Sequence, residues 1–120
     1  RGDNMEKSIL TSIKKLLGIA ESCTDFDADI IMHINTVFLI LNQLGVGTDK
    51  VFSIEDSKTT WSEFLKDDTN LEAIKTYIHL KVRLIFDPPL SAAVKEAIQA
   101  NVNELEWRLN VHAETSKEVN

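Results

Sequence analysis

The chain has 120 residues, 43% hydrophobic and 27% charged, enough for one globular domain that buries about two-thirds of its unfolded surface. Thirteen basic against nineteen acidic side chains leave a net charge of −6, which argues against a duplex-binding module, because such modules need cations to displace condensed counterions. The longest apolar run, Val37 to Leu41, is too short to cross a bilayer, no signal-peptide pattern opens the chain, and a single cysteine, Cys23, excludes an intramolecular disulfide and fits a reducing compartment.

Ile9, Leu10, Ile13, Leu16 and Leu17 recur at helical spacing and predict a first helix over 5–17. Asp3 and Glu6 are spaced as a capping box at its start, and Gly18 is placed to end it. A second helix is predicted over 27–44. Asp25, Asp27 and Asp29 put negative charge at its N-terminus, and Gly45 and Gly47 stop it. The aspartate triplet is no EF-hand loop, since its sixth and twelfth positions hold Ile30 and Thr36 instead of Gly and Glu. This helix is apolar round most of its circumference, so it is expected at the centre of the domain.

Residues 46–68 read as a long connection with a short strand over 51–54 and one helical turn, where Thr60 and Glu63 bracket Trp61 as a capping box. So long a connection inside a compact domain is usually functional or mobile, and it is the natural candidate for reaching a neighbouring molecule. A second capping box, Thr69 and Glu72, opens the third long helix, which stops at Phe86 because Asp87 precedes Pro88. Ser91 caps the last helix, with Val94, Ile98, Val102, Leu105 and Leu109 on one face. Residues 111–120 are polar, offer only Val111, Ala113 and Val119 as apolar groups, and are predicted to be a flexible tail. The expected fold is all-α: a single domain over 1–110 with four main helices around a central apolar one, plus a long mid-chain loop.

No constellation of catalytic groups emerges. His33, His79 and His112 lie far apart, outside any metal-ligand pattern; Gly45-Val46-Gly47 is too short for a dinucleotide loop and follows a helix. Cys23 has no positioned base and reads as a small core filler. Arg1-Gly2-Asp3 spells an integrin-binding tripeptide, a chance match at a terminus. Neither an enzyme nor a cofactor nor a metal is expected.

The anomalies are apolar groups where water is expected. Met32 and Leu39 fall within the polar stripe of Asn35, Thr36, Asn42 and Gln43, though scattered exposed apolar residues are normal. Trp107 lies opposite the core face of the last helix, beside Ala93 and Ala100, and is expected to be buried by another segment or a neighbouring subunit. Trp61 is a second candidate anchor, and Val111 and Val119 are the candidates in the tail. Lys81 and Arg83 form the one dense basic pair in a helix, with Glu104 and Glu106 as partners either within the chain or across an interface.

Three blocks carry a resemblance: 29–47 (DIIMHINTVFLILNQLGVG), 75–89 (KTYIHLKVRLIFDPP) and Glu104 to Asn110. In order and spacing they resemble the head–tail connector proteins of long-tailed bacteriophages. The resemblance runs from about Met5 to Asn110; Arg1 to Asn4 precede it and read as a tag or an extension. It implies a helical adaptor that forms a ring, typically twelvefold, beneath the portal of the filled head. The implied partners are copies of the chain itself, the portal protein, and a stopper or tail-completion protein. DNA would pass through the lumen without specific binding, and no membrane is involved. The implied location is the virion neck, after assembly in the host bacterial cytoplasm, with the C-terminal segment reaching toward the portal. The alternative is a small helical binding or regulatory module. That would need a basic recognition helix, whereas Lys75, Lys81 and Arg83 lie on a mainly apolar one.

Overall fold

A computed structural model describes residues 5–66 and 69–119, with side chains described as far as residue 115. Among them are five helices and no strand: α1 (Ile9–Leu16), α2 (Asp27–Gln43), α3 (Trp61–Phe64), α4 (Leu71–Phe86) and α5 (Ala92–Val119). The all-α expectation holds.

α1 starts at Ile9, not at Met5, because Ser8 takes the cap: its Oγ accepts the Thr11 N–H at 3.1 Å. The capping box expected from Asp3 lies outside the described residues. At its other end the Gly18 N–H reaches the Lys15 carbonyl at 3.1 Å and the Ile19 N–H reaches that of Lys14 at 2.9 Å, a Schellman turn with Gly18 at φ +82°. α1 buries Ile9, Leu10 and Ile13 but leaves Leu16 half in water. In its place the helix buries Lys14, which is only 3% exposed. The Lys14 Nζ donates to the carbonyls of Cys23 (2.7 Å) and Glu21 (3.2 Å) and pairs with Asp27 Oδ1 at 2.8 Å. One ammonium thus closes the loop between α1 and α2.

The 46–66 connection folds back on the chain instead of reaching outward. The strand expected at 51–54 is absent. The segment is held instead by Asn35, whose side-chain amide takes the place of a neighbouring strand: its Nδ2 donates to the Ile54 carbonyl at 2.9 Å and its Oδ1 accepts the Ile54 N–H at 2.8 Å. Phe52 and Phe64 pack with Phe38 of α2 at ring separations of 4.7 to 5.1 Å. Behind them the backbone bridges α1, with the Ile9 N–H on the Thr59 carbonyl and the Trp61 N–H on that of Lys7. At α3 the expected capping contact is present, Glu63 Oε2 accepting the Thr60 N–H at 2.9 Å.

Gly47 sits against this aromatic cluster at φ +93°, and a Cβ there would stand 2.5 Å from a Phe64 ring carbon. A Gly47→Ala variant therefore meets both backbone strain and overpacking. Chemical denaturation is expected to show a loss of roughly 2–3 kcal/mol.

α4 begins at Leu71 with Asn70 in the cap position, so the Thr69–Glu72 spacing does not mark its start. It stops at Phe86, as the Asp87-Pro88 pair predicts. The centre of the bundle is α4 and not α2, a correction to the sequence reading: α4 packs on α2, α5 and α1. Both helices bury a full apolar face, but α4 leaves only Glu72, Thr76 and Ile85 exposed, whereas α2 keeps a stripe through Met32, Thr36, Leu39 and Gln43 in water.

Ser91 caps α5, its Oγ accepting the Val94 N–H at 3.3 Å. Ile98, Val102 and Leu109 are buried and Leu105 partly so, but Val94 is exposed, because the first turns of α5, residues 91–97, are exposed throughout. The helix also runs past Asn110 to Val119, so the segment read as a tail has a helical backbone. Nothing between 111 and 119 is Gly or Pro, and loss of the apolar period alone does not end a helix.

Candidate functional site

α5 is fastened to the body by polar contacts along α4. Tyr77 donates its hydroxyl to Glu106 Oε2 at 2.6 Å, and Lys81 stands 3.7 Å from the same carboxylate oxygen. Burial, then the bond to and charge of Glu106, push the tyrosine pKa far above its ordinary value, so the hydroxyl remains a donor. Asn70 meets His112 at 3.1 Å, and the Asn110 Nδ2 donates to the Leu44 carbonyl at 3.1 Å, tying α5 to the end of α2. Lys81 is therefore engaged within the chain, as one of the two expectations had it. Arg83 makes no ion pair among the described residues. Glu104, its other expected partner, is held by Arg108 at 2.7 Å.

His79, one turn before Arg83, has its Nε2 buried without a hydrogen-bond partner among the described residues. Burial first, and the Arg83 charge second, lower its pKa below the ordinary 6.5. The unfolded chain therefore takes up this proton before the folded one does. Stability is complete above about pH 6.5 and falls as pH drops toward the folded pKa. Urea unfolding at pH 7.5 and pH 5.5 is expected to show this loss, and His79→Asn to reduce it.

Trp61, a candidate anchor in the sequence, is a core residue: it is 0% exposed, and its Nε1 donates to Ser12 Oγ at 3.2 Å. Lys75 stands 6.0 Å from its ring centre, a cation–π contact. The pattern of a four-residue helix gave no hint of this, since the contact with Ser12 spans 49 residues of chain.

The other candidates do face water. Met32 is 57% exposed and Leu39 44%. They line a shallow groove of ≈ 600 Å³ along α2, with Ile31, Thr36, Val51 and Phe52. Trp107 is 65% exposed, so no other described segment covers it; it stands beside Ala100, Asn103 and Glu104. Val111 is exposed, and the side chain of Val119 lies outside the described residues. The groove lies along α2 and Trp107 on α5, two helices that both pack on α4, and no residue lines both the groove and the surroundings of Trp107.

Among the described residues no three His, Cys, Asp or Glu side chains converge to hold a metal ion, and no helix is long and apolar enough to cross a membrane. The features the structure does offer are contact surfaces. A small helical body that leaves large apolar side chains in water on two of its helices has the form of an assembly protein. A model of the phage connector protein family matches residues 9–116, nearly the whole chain, and the chain belongs to that family. Its members are structural, non-enzymatic proteins of the head–tail connection, and membership implies the virion neck as its place. No curated protein and no solved structure is significantly similar to it.

Proposed function

We propose that the protein is an adaptor of the phage neck, several copies standing side by side in a closed ring beneath the portal. The ring would join the DNA-filled head to a stopper or tail-completion protein below, and DNA would pass through its lumen. The observation that carries this reading is the family match over 9–116. The charge of −6 suits a channel that DNA must pass without sticking.

A ring built from one kind of subunit uses heterologous contacts, in which two different surfaces of each copy meet. Trp107 on α5 and the Met32–Leu39 groove on α2 are two such surfaces, one a projecting aromatic and the other an apolar hollow. The turns of α5 beyond Asn110 are the proposed contact with the portal, Val111 being their exposed apolar group. Trp107→Ala removes an exposed side chain, so its unfolding free energy should stay within about 0.5 kcal/mol of the parent protein. The same variant should fail to complete necks in a complementation assay scored by tailed particles. Normal yield of tailed particles would remove Trp107 from the ring contact.

A further inference from the structure

Apart from those two surfaces, one end of the molecule concentrates exposed apolar groups. Leu16, Phe26, Ile85, Leu90 and Val94 are all at least two-fifths exposed, and Leu90 fully so. Two contacts bring them to the same end. Lys14 ties the last turn of α1 to the first turn of α2, and Phe26 meets Phe86 edge-on at 5.5 Å, joining the start of α2 to the end of α4. The Pro88-Pro89 link then carries Leu90 and the first turn of α5 from that point.

Charge at this end is one-sided. Glu21, Asp25, Asp29, Asp87 and Glu96 are exposed and have no ion-pair partner among the described residues, against three cations nearby, the exposed Lys15 and Lys95 and the half-buried Arg83 in the last turn of α4. Asp27 is already matched by the buried Lys14. An apolar cluster rimmed by unpaired carboxylates is complementary to an apolar pocket rimmed by Lys or Arg.

We propose that this end docks onto a different protein of the neck, one that presents such a basic-rimmed apolar pocket. The inference rests on the neck assignment above. A second copy of the chain does not fit as the occupant. Its apolar groove begins at Ala28, beside the unpaired Asp29, so two copies would oppose like charges. Like-charge contacts of this kind reject a partner.

The test is a photo-crosslinking side chain placed in the full-length protein within assembled particles, as Leu90→benzoylphenylalanine, with Ser57→benzoylphenylalanine as the control. Ser57 is exposed and lies in the loop leading to Thr60, which bridges Ser8 at the start of α1. Illumination followed by mass spectrometry is expected to join position 90 to a Lys- or Arg-containing peptide of another virion protein. Adding Glu21→Lys and Asp87→Lys, both exposed and outside the helices, should lower that yield at least tenfold with the melting temperature unchanged. Crosslinks only to further copies of this chain, a yield no higher than at position 57, or a yield indifferent to charge reversal would each overturn the proposal. Absence of the protein from purified particles would instead overturn the neck assignment, and this inference with it.

Discussion

Trp61→Ala is expected to cost about 3–5 kcal/mol of unfolding free energy, the largest effect of any single truncation discussed. The indole is 0% exposed and touches two distant parts of the chain: its Nε1 bonds Ser12 of α1, and Lys75 of α4 lies over its ring. Removing it leaves a cavity that the surrounding helices cannot close, because the bridge between Ser8 and Thr60 holds α3 against α1. For a domain of this size the melting temperature should drop by more than 10 °C. Trp107→Ala should leave it nearly unchanged. Equal melts for the two variants would show that the burial assigned to Trp61 is wrong.

Lys14→Met should cost on the order of 3 kcal/mol, the low end of what breaking a buried ion pair costs, since Asp27 keeps 26% of its side-chain surface in water. The methionine fills similar space but leaves the Asp27 carboxylate and the carbonyls of Glu21 and Cys23 without their donor. Asp27→Asn keeps Lys14 on both carbonyls but leaves the buried ammonium without its countercharge, so it too should cost on the order of 3 kcal/mol. The double variant Lys14→Met/Asp27→Asn removes both charges and should cost less than the sum of the two single losses. Urea titrations showing strictly additive losses would mean that the ion pair does not hold the loop.

Much of this fold was legible because its signals are local. The capping pairs at Thr60–Glu63 and Ser91, the glycine stops at 18 and 45, and the Asp87-Pro88 break each act within a few residues. The placement of Met32 and Leu39 in a polar stripe of α2, and of Trp107 opposite the core face of α5, followed from winding each helix by itself, whereas the exposure of Trp107 within the described chain did not. What stayed hidden depends on distant partners. Lys14 reads as a solvated charge until the loop at 21–27 wraps over it, and Asn35 as part of a polar stripe until Ile54 meets it. The apolar circumference of α2 suggested a central helix, but centrality depends on how many neighbours pack, and α4 has more of its faces covered. The end of α5 was misplaced because the search followed apolar periodicity, whereas a helix extending past its support needs only residues that do not break it.

The candidate site was legible in the same uneven way. Residues set apart by helical phase were found, and the apolar end around Leu90 was not, because it is assembled from the termini of four helices. Family membership over 9–116 gives those surfaces a setting, the connection between a phage head and its tail.

The measurement that bears most directly on the account is electron microscopy of purified necks combined with native mass spectrometry of the same sample. The account predicts many copies of this chain in a closed ring around the channel, one flank of each copy against a different flank of the next. A single copy per particle, or a position away from the head–tail junction, would contradict it.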